Sequence, residues 1–284
     1  MIAKATTIFE GVSIRHALKL LDIPKSRYYR LKKQKFDKDD CDFKIIEKHF
    51  LKSSRKAGIR QLKMILERKE GITFNRKKIA RIKRKFGLRT EIRMKNKHKY
   101  FALKKKEHEV LPNILNRDFS QKKPKRVYSI DITQVRYSGT KAYIAAVKDL
   151  CTKEIVAKVV SSRIDLSLTN KTIEKALGKL TDEERKKLMI HSDQGVHFTH
   201  ESYRKKLKEN GVTQSMSRKG NCLDNAPIES FFGLLKDHLN LKHCKNINDV
   251  KKEVTKQVNY YNYERPQLGL KKMPPIFYRR HLLS

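Results

Sequence analysis

The stretch "RVYSIDITQVRY", residues 126–137, decides the fold. On a strand its side chains alternate, so Ser129, Asp131 and Thr133 point one way and Tyr128, Ile130 and Ile132 the other. One face is apolar and suited to a core. The other carries a carboxylate in mid-strand, which is costly to bury without a cation or a metal opposite it. From this strand alone a structural ion pair and a metal ligand are equally good readings.

Working outward, "KAYIAAVKDL" (141–150) and "EIVAKVVSS" (154–162) follow at hairpin distances. A helix is predicted over about 167–180, a strand over about 187–192, and further helices beyond. A β-β-β-α-β-α order implies a mixed sheet with helices packed on it. In "KLMIHSDQGVHF" (187–198) a second acid, Asp193, stands just past the end of the short buried strand, where rigidity and access coincide. A third, Glu229, lies in "SRKGNCLDNAPIESFFGLLKDH" (217–238). There Gly220, Asn221, Asp224 and Asn225 read as turn and capping residues, and Pro227 suits a first helical turn. Phe231, Phe232, Leu234 and Leu235 form the stripe that should anchor the helix. Between Asp193 and Glu229 lie 35 residues, a weak signal by itself in a chain with 30 acids. His191 and His197 flank Asp193 and read as packing or supporting residues, because nothing here has zinc spacing.

The chain has 284 residues, 38% of them hydrophobic, enough to fill a core. No apolar run approaches the ~20 residues of a membrane helix, and the N-terminus lacks the apolar region of a signal peptide. Four scattered cysteines with no C-x-x-C pair read as reduced thiols and exclude a structural zinc module. The net charge of +38 requires a polyanion, and nucleic acid is the usual one. The charge is uneven: residues 1–125 hold 38 basic and 13 acidic residues, residues 126–284 only 30 and 17.

The basic half has its own organisation. Ile14, Ala17, Leu18 and Leu21 fall at helical spacing, with Ser26 as the candidate cap of a second short helix. Residues 37–42 form an acidic patch, read as a solvated loop or helix start. In "GIRQLKMILERKEG" (58–71) Ile59, Leu62, Ile65 and Leu66 line a helix that Gly71 ends. "NRKKIARIKRKFGL" (75–88) opens with Asn75 as cap, aligns Ile79, Ile82 and Phe86, and closes at Gly87. Its other faces carry Arg76, Lys77, Lys78, Arg81, Lys83, Arg84 and Lys85. A helix, a glycine turn and a strongly basic helix describe a helix-turn-helix unit, with Arg76, Lys77, Arg81 and Arg84 as candidate DNA contacts. A merely solvated basic helix is the bland alternative.

With "PNILNRDF" (112–119), "SIDIT" (129–133), "HSDQGVHFT" (191–199), "SMSRKGNCLDNAPIESFFGLLK" (215–236) and "YNYERPQLGL" (261–270), the sequence resembles the DDE transposases and retroviral-type integrases. More closely it resembles the OrfB transposases of two-reading-frame bacterial insertion sequences. The resemblance covers most of the C-terminal 170 or so residues, and residues 53–90 resemble the helix-turn-helix segment that precedes the core. It implies an α/β fold: an RNase H-like mixed sheet flanked by helices, the integrase catalytic core, preceded by an all-α helix-turn-helix region. The expected division is a helical segment over 1–50, the helix-turn-helix unit over 51–100 and a basic linker over 101–122. The catalytic core then takes 123–240 and a helical tail 241–284. One departure is Tyr128, where the family usually has Trp.

The resemblance also implies a catalytic, metal-binding triad of Asp131, Asp193 and Glu229, with two Mg²⁺ or Mn²⁺ ions as cofactor. Hard cations favour such oxygen ligands. Lys236, two turns after Glu229, and Arg265 are implied DNA contacts. The implied activity is metal-dependent cleavage at insertion-sequence ends, followed by strand transfer. Its partners would be the terminal inverted repeats, target DNA, the upstream-frame OrfA product or a fusion with it, and other copies of the chain on DNA. No membrane is involved, and the expected location is the bacterial cytoplasm, at the nucleoid. The competing readings are a non-catalytic DNA-binding regulator of transposition and a retroviral-type integrase or RNase H-fold nuclease. The intact acids argue against the first, and the missing His/Cys zinc module against the integrase form of the second.

Overall fold

A computed structural model describes residues 15, 18–19, 24–32, 38–91, 111–218 and 220–284. Within it, the N-terminal unit contains α1 (Lys25–Lys32), α2 (Lys38–Lys52), α3 (Ile59–Lys69) and α4 (Arg76–Lys85). Apart from Arg15, Leu18 and Lys19, the helix predicted around residues 14–21 lies outside the described residues. Ser26 is not a cap: α1 already begins at Lys25, and the Tyr28 amide donates to the Pro24 carbonyl.

The helix-turn-helix pattern forms as its spacing requires. Leu62, Ile65 and Leu66 of α3 meet Ile79 and Ile82 of α4 and Ile46 and Phe50 of α2 in one buried cluster. Gly71 and Gly87 adopt φ of +66° and +67°, which other residues rarely reach, and both lie just past helix ends. The Asn75 side chain accepts from the Lys77 amide at 2.8 Å, capping α4.

Two readings change here. The acidic patch does start a helix, but Asp39 and Asp42 of α2 pair with α4: Arg81 Nη2 lies 2.7 Å and Lys85 Nζ 3.7 Å from Asp39, and Lys78 Nζ lies 2.5 Å from Asp42. Lys83 is not on an outer face. It is buried, with its ammonium 4.2 Å from the centre of the Phe50 ring and donating to Thr90 Oγ1 at 2.7 Å.

The C-terminal unit is built on five strands: β1 (Val127–Tyr137), β2 (Thr140–Asp149), β3 (Ile155–Ser161), β4 (Met189–Ser192) and β5 (Thr213–Met216). Their order is β3-β2-β1-β4-β5. β1, β2 and β3 are antiparallel neighbours, while β4 runs parallel to β1 and β5 parallel to β4. This is the mixed sheet that the strand order implied, of the RNase H-like kind that the resemblance implied. A two-residue turn joins β1 to β2; Ser138 and Gly139 both have positive φ (40° and 74°), as a type I′ hairpin requires. That turn pairs Asp131 with Ala146 and Ser129 with Lys148.

Helices cover both faces. α5 (Leu166–Leu177), the short α6 (Asp182–Lys186) and α7 (Val196–Thr199), and α8 (Glu201–Glu209) interrupt the strands; α9 (Ala226–His238), α10 (Ile247–Asn259) and α11 (Pro275–Leu283) follow them. Tyr128 and Ile130 pack in one core with Ile173 and Leu177 of α5 and with Tyr203 and Leu207 of α8. On the opposite face Val135, Ile144 and Ala146 meet Ile228, Phe231 and Leu235 of α9 and Val250, Val254 and Val258 of α10. Each large side chain so buried contributes about 1.5–3 kcal/mol. The phenylalanines of α9 do anchor it: Phe231 and Phe232 are both buried.

The C-terminal tail is fastened by mimicry of a strand. The Ile155 amide donates to Asn262 Oδ1 and Asn262 Nδ2 donates to the Ile155 carbonyl, both at 3.0 Å. Tyr261 Oη donates to the Lys153 carbonyl at 3.0 Å, and Arg279 pairs with the buried Glu154. Residues of "YNYERP" thus pack the tail against the core.

Candidate active site

Asp131 projects from the middle of β1 on the face that α9 and α10 cover. The Ile132 amide donates to its Oδ1 at 2.7 Å, and it makes no ion pair among the described residues. Asp193 follows β4 directly. The Gly195 amide donates to Asp193 Oδ1 at 2.8 Å, so the carboxylate folds back over the turn. A Cβ at position 195 would stand 2.8 Å from that same oxygen, so any larger residue there would have to displace the carboxylate. Glu229 lies in the first turn of α9 and remains exposed.

The three acids act on one another. Burial, then the negative charge of Asp193 and more weakly that of Glu229, pushes Asp131 up to about 7; the Ile132 amide and Lys236 oppose the shift. Partial burial, then Asp193, raises Glu229 as well. Repulsion that Lys236 only partly offsets is the electrostatic mark of a carboxylate site suited to a metal. The donor set is all oxygen, which suits a hard divalent cation. Among the described residues no three His, Cys, Asp or Glu side chains already stand together as a metal-binding group. The acids share a field without forming such a group.

Two buried polar contacts aim α9. Ser129, two residues before Asp131 on the same face, donates from Oγ to Asn225 Oδ1 at 3.0 Å. Lys148, opposite Ser129 on β2, donates from Nζ to the Pro227 carbonyl at 2.7 Å. Asn225 occupies the N-cap position of α9, yet its side chain makes no capping bond; it is engaged by the strand instead. Nor does Asp224 cap. Its fully buried carboxylate accepts from Arg117, Arg218 and Asn113. These residues order the approach to Glu229 by tertiary hydrogen bonds, not by helix caps.

Lys148 is a functional residue that the sequence reading missed. Burial, then the charges of Lys153 and Arg265, pushes its ammonium down to about 7. The available signal was a single lysine inside the apolar run "YIAAVKDL". His191 has a supporting role. Ser215 Oγ accepts from the Ile114 and Leu115 amides, so its own proton goes to His191 Nδ1 at 3.0 Å, which leaves the imidazole proton on Nε2. Burial lowers the His191 pKa and keeps the ring neutral.

The expected DNA contacts fall in three places. On α4, Arg76, Lys77 and Arg84 are exposed, whereas Arg81 is exposed but bonded to Asp39. Lys236 of α9 is half-buried and its charge reaches Asp131. Arg265 is half-buried in a cleft between α3 and the tail that Arg60, Arg76 and Lys272 also line. The same cleft is bridged by Gln61 Nε2 donating to the Pro266 carbonyl at 3.1 Å and by a Lys272–Glu67 pair at 2.8 Å. The charges of Asp193, Glu229 and Lys236 thus all reach Asp131. Among the described residues no helix is long and apolar enough to cross a membrane.

Three family models match parts of the chain. Residues 121–222 match an integrase core domain, residues 210–275 a second integrase core domain model, and residues 37–96 an HTH-like domain. The chain is 36% identical over 265 residues to the transposase InsK of insertion sequence element IS150 from Escherichia coli, covering 92% of each chain. It is 34% identical to a transposase-like protein of Haemophilus influenzae, covering 78% of this chain and all of that one. Among solved structures, the HTLV-2 integrase catalytic core in complex with magnesium aligns at 15% identity with a TM-score of 0.45, covering 55% of this chain and 97% of that one.

Proposed function

This chain belongs to the integrase-core transposases of bacterial insertion sequences, the OrfB group, and from that membership we propose a metal-dependent DDE recombinase that acts on its own element's ends. In this reading it nicks the 3′ ends at the terminal inverted repeats and joins each 3′-OH to a phosphodiester of target DNA. Asp131, Asp193 and Glu229 would hold the metals. The observation that carries the reading is the shared field of these acids, with Asp131 pushed to about 7 and no ion pair on it among the described residues. A structural salt bridge, the other reading of a mid-strand aspartate, is thereby disfavoured.

Two Mg²⁺ or Mn²⁺ ions, when bound, would activate the attacking oxygen and stabilise the leaving one. The chain's own residues supply placement. The Ile132 and Gly195 amides orient the two aspartates. Ser129 and Lys148 hold the start of α9, and with it Glu229, against the sheet. Asp131 would serve as a ligand in its deprotonated form, so cation binding there would release its proton. Lys236 offers its ammonium to a phosphate beside the acids. The helix-turn-helix unit would grip the inverted repeat, and the upstream-frame product or further copies of the chain would complete the assembly on DNA.

A labelled duplex carrying the element end, incubated with the protein and Mg²⁺ or Mn²⁺, should yield nicked and joined products. Asp193→Asn should reduce both about a hundredfold or more, the scale on which a transition-state charge stabiliser acts. Undiminished product from that variant would refute the site, and binding without cleavage by the wild type would favour a non-catalytic regulator.

A further inference from the structure

Beside the acids lies a second charged group, built from segments far apart in sequence. The Asp224 carboxylate is 0% exposed and accepts five hydrogen bonds. Arg117 Nε reaches Oδ1 at 2.6 Å and Arg218 Nη2 reaches it at 2.9 Å. Arg218 Nε at 2.9 Å, the Arg218 amide at 3.0 Å and Asn113 Nδ2 at 3.0 Å reach Oδ2. Arg117 also donates from Nη2 to Asn221 Oδ1 at 2.8 Å. Both arginines remain open to solvent, at 39% and 50% exposure. Each keeps its Nη1 group without a hydrogen-bond partner among the described residues.

Three features go beyond the needs of a structural ion pair. One guanidinium suffices to neutralise a buried carboxylate, and here two share it, leaving a surplus positive charge. Arg117 sits at φ +64°, directly after Asn116 at φ +43°, a conformation costly for a residue with a long side chain. The side chains are also held in advance, so little rotamer freedom remains to be lost when an anion arrives.

The position links this group to the reaction. The Ser217 amide donates to the Ser192 carbonyl, and Gln194 Nε2 donates to the Ser217 carbonyl, both at 2.9 Å. Ser217, adjacent to Arg218, is thus bound to the residues on either side of Asp193. On its other flank Asp224 adjoins Asn225, which β1 holds through Ser129.

We propose that Arg117 and Arg218 form a phosphate clamp that grips the DNA backbone where the strand passes Asp193. A planar guanidinium matches a phosphodiester's oxygens, and two of them beside a metal site would hold the phosphates flanking the one being cut. The clamp rests on the reading of Asp131, Asp193 and Glu229 as the reacting centre and adds the residues that hold the strand there.

The test is equilibrium binding by the full chain without turnover, in Ca²⁺, to a fluorescent element-end duplex and to an unrelated duplex across a salt series. Arg117→Gln and Arg218→Gln should each lower the slope of log affinity against log salt by about 0.9, the value of one phosphate contact. Arg218→Lys should keep the slope while weakening binding, because charge survives and the planar fork does not. A purely structural pair would change the melting temperature and leave the slope alone. A loss of slope on the end duplex only assigns the clamp to the element's strand; an equal loss on both assigns it to any DNA backbone, and either supports it. Wild-type slopes in folded glutamine variants overturn it. Where a glutamine variant fails to fold, phenylglyoxal modification of the wild type decides: DNA should protect Arg117 and Arg218, and unprotected arginines would overturn the clamp. Failure of the catalytic reading shows separately, as an Asp193→Asn variant that still cuts.

Discussion

The Ser129 hydroxyl donates to the Asn225 side chain at 3.0 Å, tying the strand that carries Asp131 to the turn that launches Glu229. The two acids come from segments about a hundred residues apart, and this buried bond fixes their separation more directly than any contact of their own. Ser129→Ala should cost about 1 kcal/mol of stability, the usual net worth of such a bond. It should lower the cleavage rate about tenfold, as loss of an orienting partner does at metal sites. Melting curves and single-turnover cleavage read the two effects; an unchanged rate would remove Ser129 from the positioning network.

Lys148 should separate stability from activity. Its ammonium, pushed down from 10.5 to about 7, binds its proton less well folded than unfolded. Folding stability from this group is therefore full above about 10.5 and is lost as pH falls through about 7. Lys148→Met should melt as high as the wild type at pH 7 and lose ground to it at pH 9. Cleavage should nevertheless fall about tenfold at both values, because the Pro227 carbonyl loses its donor. A flat difference in melting between the two pH values would contradict the assignment.

Asp131 has the opposite sign. Its carboxyl, raised from 3.8 to about 7, binds a proton more tightly in the folded state. Its contribution is complete below about 3.8 and disappears as pH rises through about 7. Asp131→Asn, neutral at every pH, should raise the melting temperature of the metal-free protein by a few degrees at pH 8, with the gain shrinking towards pH 4. The same variant should be inactive, the common trade between a strained site and stability. Equal gains at both ends of the range would show that Asp131 is not repelled by its neighbours.

On the recognition helix, the structure ranks basic residues that the sequence left equal. Lys77→Ala and Arg84→Ala should each weaken binding to any duplex and lower the salt slope by about 1. Arg81→Ala should do less, because Asp39 already holds that guanidinium at 2.7 Å. Salt titrations of the three variants settle the order; an Arg81 effect as large as that of Lys77 would mean that DNA displaces Asp39.

Much of this was legible in the sequence because local patterns carried it. The alternation of residues 127–135, the glycines at 71 and 87 and the apolar stripe of α9 each specify an element with little help from elsewhere. Asp131 stood out because a charge inside an apolar strand is expensive, and Asp193 and Glu229 because the motifs around them resemble a known family. Other features depend on tertiary contact. β5 is only "TQSM", four residues in which polar Gln214 and Ser215 are buried, Gln214 by a bond to the Phe198 carbonyl, so no periodicity announces it. Lys83 looked like part of a basic face until Phe50 and Thr90 enclosed it. Asp224 looked like a cap, and besides nearby Arg218 its partners are Asn113 and Arg117, out of reach of any local rule.

The hairpin at Ser138–Gly139 has a consequence for how such a gene can decay. Lys148 reaches Pro227 only because the two-residue turn sets β2 against β1 in one register. One extra codon between Tyr137 and Thr140 would alter no catalytic residue, yet a one-step slip would turn Lys148 and Ala146 to the far side of the sheet. An insertion sequence carrying that lesion would keep all three acids and still be silent. Counting intact triads among genomic copies would therefore overstate how many can move, and hairpin length is the better census.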